Sequence, residues 1–405
     1  MSVAPAVRFL DRSTPPHIVT LILLSGLAAL AMNIFLPSLP GMTAYFDTDY
    51  SLMQLSVAIY LGVNACLQLV VGPMSDQMGR RPVILGGLVI FILATLGCLF
   101  APNVTVFLIC RMAQAAVVVA MVLSRAVVRD MVPQDQAASM IGYVTMGMAV
   151  VPMIGPMIGG FLDEIWGWKA SFWLLLVAGV ATLWLAWRDL GETKMRSGQT
   201  LLRQFQDYPE LIRAPRFWGY ALAAAFASGA FFAYLGGAPF VGSEVFGLQP
   251  ALLGLLFGAP AVGYFAGNGI SGRYSARVGV NRMVLWGCWV NIVGVVLSML
   301  VFAMGQGSAL SFFGFMTFVG FGNGMTIPNS TAGMLSVRPH LAGTASGLGG
   351  AIMIGGGAGL SALAGALLQP GTGPWPLLWL MLITSILGMV AILMVIRREE
   401  RLRLV

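Results

Sequence analysis

The sequence predicts an all-α polytopic membrane protein with twelve transmembrane helices, and three observations support that prediction. Of its 405 residues, 58% are hydrophobic and only 9% are charged, whereas about 25% of the residues in a soluble domain are charged. The apolar residues form runs of about 20 residues, the length that a helix needs to cross a bilayer. The sequence lacks the alternating segments of about ten residues that a membrane β-barrel requires. An ordinary soluble enzyme and a disordered chain are therefore excluded.

The predicted spans follow one another with short polar or Gly/Pro-rich breaks. The first begins after Arg8, Arg12 and Pro15. It is too long for the hydrophobic region of a signal peptide and has no small-residue cleavage site behind it, so we expect it to be retained. The predicted limits are 17–37, 51–73, 82–101, 103–129, 137–162, 168–187, 217–241, 250–272, 282–303, 308–335, 341–367 and 374–396.

The basic residues predict the orientation of these spans. Cytoplasmic loops of membrane proteins are enriched in Lys and Arg. With the N-terminus in the cytoplasm, 20 of the 22 basic residues lie on that side, and the exceptions are Arg111 and Lys169. We therefore expect both termini in the cytoplasm. The net charge of +7 then reflects topology rather than a nucleic-acid partner.

A long charged stretch divides the chain into two halves. Residues 188–216 contain ten charged residues and separate the sixth span from the seventh. This predicts an N-terminal six-helix bundle over 1–187, a cytoplasmic connecting loop over 188–216, and a C-terminal six-helix bundle with a short cytoplasmic tail over 217–405. Apolar residues at helical spacing between 201 and 211 predict a short surface helix in the loop, and a solvated connector is the alternative.

The two halves also resemble each other in sequence. Glycine, serine and glycine at positions 72, 75 and 79 recur 200 residues later at 272, 275 and 279. Such internal repeats usually place a substrate site near the membrane midplane, between two bundles that rock against each other.

The loop between the second and third spans carries a motif. It matches G-x-x-x-D-x-x-G-R-[RK], a signature of the major facilitator superfamily, and Asp76 and Arg80 are spaced to pair across one helical turn. The resemblance implies that Asp76 lies at a helix N-terminus of the other half, and that Arg80 pairs with Asp130. Together they would latch the outward-open state, and a basic loop that only sets topology is the alternative. The residues of this proposed latch are Gly72, Asp76, Gly79, Arg80, Arg81 and Asp130.

A second motif lies in the fifth span. It resembles the G-P-x-x-G-G element of drug:H⁺ exporters, with Val151 where that element has an earlier glycine. Small residues let helices approach closely, which would suit a moving interface between bundles, and ordinary helix packing is the alternative. The motif residues are Gly142, Pro152, Gly155, Pro156, Gly159 and Gly160.

Longer strings at 33–40, 124–130, 234–241 and 342–346 resemble the Bcr/CflA group of bacterial drug exporters. This resemblance implies secondary-active efflux across the inner membrane, with protons as the expected coupling ion. The group usually has an acid where this chain has Asn33, so its usual proton carrier is missing. If protons do couple, Asp76 and Asp130 are the expected titrating groups.

The candidate substrate cavity combines aromatic rings with a few polar groups, as pockets for amphiphilic compounds do. Arg111 lies deep in the fourth span, where a charge is costly and is expected to face the protein interior or water. With Arg111 present and the acid of span one absent, we expect neutral or anionic substrates such as phenicols. The candidate residues are Asn33, Tyr60, Asn64, Arg111, Gln114, Phe232, Tyr234 and Asn329.

Other functions are less well supported by the residues. The four cysteines show no paired spacing, and His17 and His340 lie in no H-E-x-x-H element. We therefore expect no metal site, no cofactor and no enzymatic activity, and a monomer whose partners are a small molecule, protons and lipid. A metabolite importer or facilitator of the same fold, without proton coupling, is the alternative.

Overall fold

The computed structural model describes residues 8–131, 151, 154–193, 208–338 and 341–403. Within these ranges the regular structure is entirely helical, and eleven helices are long and apolar enough to cross a membrane. The all-α membrane architecture is thereby confirmed. The predicted fifth span lies mostly outside the described residues. Only its end is described, and it forms part of a helix over 154–166.

The N-terminal half has helices of unequal length because prolines and short 3₁₀ turns interrupt two spans. Pro37 and Pro40 mark the break in the first span, where a turn at Leu36–Ser38 joins two helices. A similar turn at Ala115–Val117 divides the fourth span. The helices are α1 Ile18–Asn33, α2 Leu39–Tyr45, α3 Tyr50–Met78, α4 Arg80–Leu99, α5 Val104–Gln114, α6 Val118–Met131, α7 over 154–166 and α8 Lys169–Asp189.

The C-terminal half is built in the same way. Its eighth span is interrupted at Gly258 because Pro260, which lacks an amide hydrogen, lies in the first turn of the next helix. The helices are α9 Tyr208–Ile212, α10 Pro215–Phe240, α11 Pro250–Phe257, α12 Ala259–Val278, α13 Val280–Ala303, α14 Ala309–Val337, α15 Ala342–Leu367 and α16 Trp375–Arg403.

The 200-residue sequence repeat occupies equivalent places in the two halves. Gly79 ends α3 and Gly279 ends α12, with φ angles of 98° and 90°. Only glycine adopts these angles without strain. Each glycine lets the chain reverse directly into the next membrane helix, α4 or α13.

The halves meet along α3 and α15. Ala65 lies against Gly355 midway along these helices, and Gln54 contacts Ser361 near one end. We call this end of the bundle, where α3 begins and α15 ends, the distal end, because it is opposite the N-terminal segment 8–17.

Candidate functional site

Arg111 forms the centre of a buried polar cluster in the N-terminal half. Its side chain is only 1% exposed, and the guanidinium donates to the carbonyl of Ala31 at 2.9 Å and to Gln114 Oε1. The same group lies over the rings of Tyr60 and Phe35, at 4.0 and 4.3 Å from their centroids. The cluster therefore holds a cation by carbonyl, amide and π contacts.

Among the described residues, no carboxylate pairs with Arg111. Within the described chain, Arg111 Nε and the Tyr60 hydroxyl are buried without a hydrogen-bond partner, and so is Asn33 Oδ1 on the neighbouring helix α1. Buried polar groups are normally paired. These three groups can therefore form new hydrogen bonds when the surrounding helices move, without first breaking existing ones.

Asn33 itself lies at the contact between α1 and α7. Its amide nitrogen donates to the carbonyl of Ala29 at 2.8 Å. A Cβ added at Gly155 would lie 3.9 Å from the Asn33 Cβ. The residue that replaces the usual acid of span one therefore faces the described part of the glycine motif.

The other predicted cavity residues are also buried, but they lie in separate surroundings. Asn64 Oδ1 accepts from Gln68 at 2.8 Å on α3. Asn329 donates to Ser271 at 2.8 Å within the C-terminal half. The structure therefore places Tyr60, Arg111 and Gln114 in one cluster, whereas the polar contacts of Asn64 and Asn329 lie elsewhere.

Two aromatic candidates pack within the C-terminal half. The Tyr234 hydroxyl donates to the carbonyl of Phe257 at 3.0 Å, and the two rings stack at 4.8 Å. Phe232 lies against Gly357, where an added Cβ would come within 2.2 Å of its ring. In this conformation both rings are part of the packed interior.

The loop motif places Arg80 beside Asp130, with 3.0 Å between Nε and Oδ2. The resemblance implied this pairing. Arg80 also donates to Ser75. The side chains of Gly72, Asp76 and residues 342–344 lie outside the described residues, so the predicted contact of Asp76 with the other half stays a prediction.

Glu192 is a residue that the sequence did not single out. Its carboxylate accepts the backbone N–H groups of Arg80 at 2.8 Å and Arg81 at 3.2 Å. It therefore caps the N-terminus of α4, where the helix dipole favours a negative charge. Arg81 in turn donates to the carbonyls of Leu190 and Trp187. The sequence does show a charged residue just after the sixth span, but its charge does not identify the group that it contacts.

The described part of the glycine motif packs against both halves. A Cβ at Gly159 would lie 1.6 Å from the carbonyl oxygen of Ile34 in the N-terminal half. A Cβ at Gly160 would lie 2.1 Å from the carbonyl oxygen of Pro250 in the C-terminal half. These backbones touch only because the positions carry no side chain. Gly142 and Pro152 lie outside the described residues.

Hydrogen bonds between the halves close the distal end. The Tyr50 hydroxyl donates to the carbonyl of Gly236 at 2.8 Å, and Gln54 Nε2 donates to the Ser361 hydroxyl at 2.7 Å. The Glu164 carboxylate accepts the amide of Ala251 at 3.3 Å, at the first turn of α11. These contacts must break if the bundle opens at this end.

Comparison with known proteins shows a match to the Major Facilitator Superfamily model over residues 21–361. A Pseudomonas aeruginosa protein named chloramphenicol resistance protein is 31% identical, with 91% of this chain and 89% of that protein covered. Multidrug resistance protein D of Escherichia coli K12 is 30% identical, with 88% and 90% covered.

A solved structure has the same fold. It is a bacterial homologue of the human lysosomal transporter Spinster, in an inward-facing and occupied conformation. The TM-score is 0.72 and the identity 17%, and the match covers 95% of this chain and 96% of the other. The likeness therefore extends over both halves.

Proposed function

Because this chain belongs to the major facilitator superfamily, a family of transporters rather than enzymes, we propose that it exports small amphiphilic compounds from the cell. The proposed substrates are neutral or anionic molecules such as phenicols. The substrates would cross the bacterial inner membrane by alternating access of the transporter. Both chain termini would lie in the cytoplasm. The C-terminal bundle, 217–405, would rock against the N-terminal bundle, 1–187.

The names of the relatives support export of drugs. One relative is named for chloramphenicol resistance and another for multidrug resistance, and each matches this chain over almost its whole length. A transporter protects a bacterium from such compounds by removing them from the cytoplasm.

The Arg111 cluster carries the proposal on substrate charge. A buried guanidinium without a carboxylate partner in the described chain repels a cation, and it attracts a carbonyl, nitro or carboxylate oxygen. The guanidinium lies over the rings of Tyr60 and Phe35. Once the halves separate, the ring of an aromatic compound could take the place of these rings, and its polar oxygens could bind the guanidinium.

Alternating access requires the distal contacts to be reversible. The hydrogen bonds that Tyr50, Gln54 and Glu164 make across the halves can be exchanged for bonds to water when the gap opens. The close backbone contact of Gly160 with Pro250 also crosses between the halves. Such contacts can break and form again, which suits a gate that opens in each transport cycle.

We further propose that export is coupled to protons. Asn33 does not titrate, so the carrier must be another group. Asp130 is held by Arg80 at 3.0 Å, and protonation of its carboxyl would weaken this ion pair. Proton binding at Asp130 would then loosen the loop motif and change the balance between the two states.

Uptake into inverted membrane vesicles tests the charge of the substrate. We expect uptake of a phenicol by the parent, and a reduction of at least about tenfold in Arg111→Gln. The matched control is Arg277→Gln, which removes an exposed arginine and should transport normally. Transport of quaternary ammonium dyes without transport of phenicols would refute the charge argument.

An imposed pH gradient in the same vesicles tests coupling. We expect the parent to respond to the gradient and Asp130→Asn to lose the response while it still exchanges substrate. If only Asn33→Asp responds, this chain lacks a proton carrier. Substrate accumulation in energised right-side-out vesicles would instead support the importer alternative.

A further inference from the structure

Two shallow, open surface grooves follow each other along α8, on the outside of the N-terminal half. The first is polar and lies where α8 ends beside the N-terminal segment. The second is apolar and lies further into the membrane span. The polar groove is lined by Leu10, Asp11, Arg12, Trp187 and Arg188, and the apolar groove by Leu176, Val177, Val180, Ala181 and Trp184.

The polar groove has an excess of positive charge. Arg12 and Arg188 are exposed, and neither forms an ion pair within the part of the chain that the structure describes. Asp11 Oδ1 accepts from the Ser13 hydroxyl and backbone N–H, which lowers the pKa of Asp11, so this carboxylate stays ionised and the groove sets two arginines against one acid. Two guanidinium groups therefore remain available to an anion.

The groove is preformed because the N-terminal segment is fixed to the end of α8. Asp189 is fully buried and accepts the backbone N–H groups of Leu10 at 2.7 Å and His17 at 2.9 Å. Its carboxylate also accepts from the Thr20 hydroxyl at 2.6 Å. Hydrogen bonds to a buried carboxylate are strong, so Arg12 is held beside α8.

The two grooves together span about the depth of one lipid leaflet. Leu176 and Arg188 are twelve residues apart, about 18 Å along a helix, and half of the hydrocarbon core is about 15 Å thick. Val177, Val180 and Trp184 are each at least half exposed on the same face. Trp187, also half exposed, lies between the two grooves, where indole rings favour the membrane interface.

We propose that the two grooves together bind one anionic phospholipid. Its phosphate would lie between Arg12 and Arg188, and one acyl chain would lie along Leu176–Trp184. The ligand is a structural lipid, and the site is separate from the Arg111 cluster. An arginine pair with planar donors matches phosphate oxygens well.

Lipid titration of the purified full-length protein, followed by native mass spectrometry, tests the site. The probes are dioleoylphosphatidylglycerol, dioleoylphosphatidylethanolamine and inorganic phosphate. We expect the parent to prefer phosphatidylglycerol, and R12Q/R188Q to bind it about 20-fold more weakly. The control pair R277Q/R401Q removes the same charge elsewhere and should stay within about twofold of the parent.

Two further variants separate binding from folding. R12K/R188K keeps both charges and should retain most of the affinity. Ala181→Trp fills the apolar groove, and it should weaken phosphatidylglycerol binding with the arginines intact. Equal binding of the two lipids, an equal loss in the control pair, no effect of Ala181→Trp, or displacement of the lipid by inorganic phosphate would each overturn the proposal.

Discussion

Replacement of Gly160 by alanine should open the distal end of the bundle. A Cβ at this position would lie 2.1 Å from the carbonyl oxygen of Pro250, whereas ordinary contacts begin at 3.4 Å. The neighbour is backbone, so no side chain can rotate away. Helices α7 and α11 must therefore separate by about 1 Å or more, which disrupts the contact between the two halves.

The size of the effect follows from this overlap. Overpacking of this kind costs about 1–3 kcal/mol, which corresponds to a shift of about 5- to 150-fold between two states. A distal-open state populated at about 1% would then rise to about 5–60%. Gly254 makes the reciprocal contact, with an added Cβ 2.3 Å from the Pro156 carbonyl oxygen. Because one separation relieves both overlaps, the double variant should open little further than either single variant.

Pulsed electron spin resonance measures this opening. Spin labels are attached after Asp49→Cys and Gln249→Cys, in a background from which the four native cysteines are removed. Both positions are exposed N-caps at the distal end, one in each half. We expect Gly160→Ala to add a population at longer distance.

A matched control separates the overlap from the greater helix propensity of alanine. Gly359 is helical, and no atom of another described element lies within 4 Å of an added Cβ there, so Gly359→Ala should leave the distances unchanged. The reasoning is refuted if folded Gly160→Ala has the parental distance distribution, or if Gly359→Ala shows the same shift.

Three further predictions concern buried or capping groups. Tyr60→Phe removes a buried hydroxyl that has no hydrogen-bond partner in the described chain but keeps the ring beside Arg111. The melting temperature should therefore equal or exceed that of the parent while the KM for a phenicol rises about tenfold; a lower melting temperature would contradict this. Glu192→Ala should destabilise the protein by about 1–2 kcal/mol through loss of the α4 cap, and Glu192→Gln by less. Equal melting temperatures for both variants and the parent would show that Glu192 does not stabilise α4. Asp189→Asn should cost about 3 kcal/mol and expose segment 8–17 to protease, because an amide cannot satisfy three donors; parental protease resistance would count against it.

Much of the fold could be predicted from hydropathy. Eleven of the twelve predicted spans coincide with membrane-length helices in the described chain, because each span depends only on its own composition. The Arg80–Asp130 pair could be predicted from resemblance. The interruptions at Leu36–Ser38 and Gly258 could not be read as breaks from hydropathy, because Pro37 and Pro260 leave the apolar run intact.

The partners of the acids at the end of α8 could not be predicted. Glu192 contacts Arg80, which is 112 residues away in sequence, and Asp189 contacts His17, which is 172 residues away. Both acids lie in or beside the charged stretch that predicted a cytoplasmic connector. Their role depends on which helix ends they meet, and that is a property of packing.

The sequence by itself determined that the chain is a helical membrane protein, that it has two related halves, and that an arginine lies deep in a span. The first and the third follow from composition within windows of about 20 residues, because the bilayer acts on every span separately. The second follows from a motif that recurs 200 residues later. The tertiary structure decided that Arg111 lies over two aromatic rings with no acid as its partner among the described residues, and that glycines of α7 touch the backbone of both halves. Such contacts depend on positions within a few ångströms between distant segments, and hydropathy does not encode those distances.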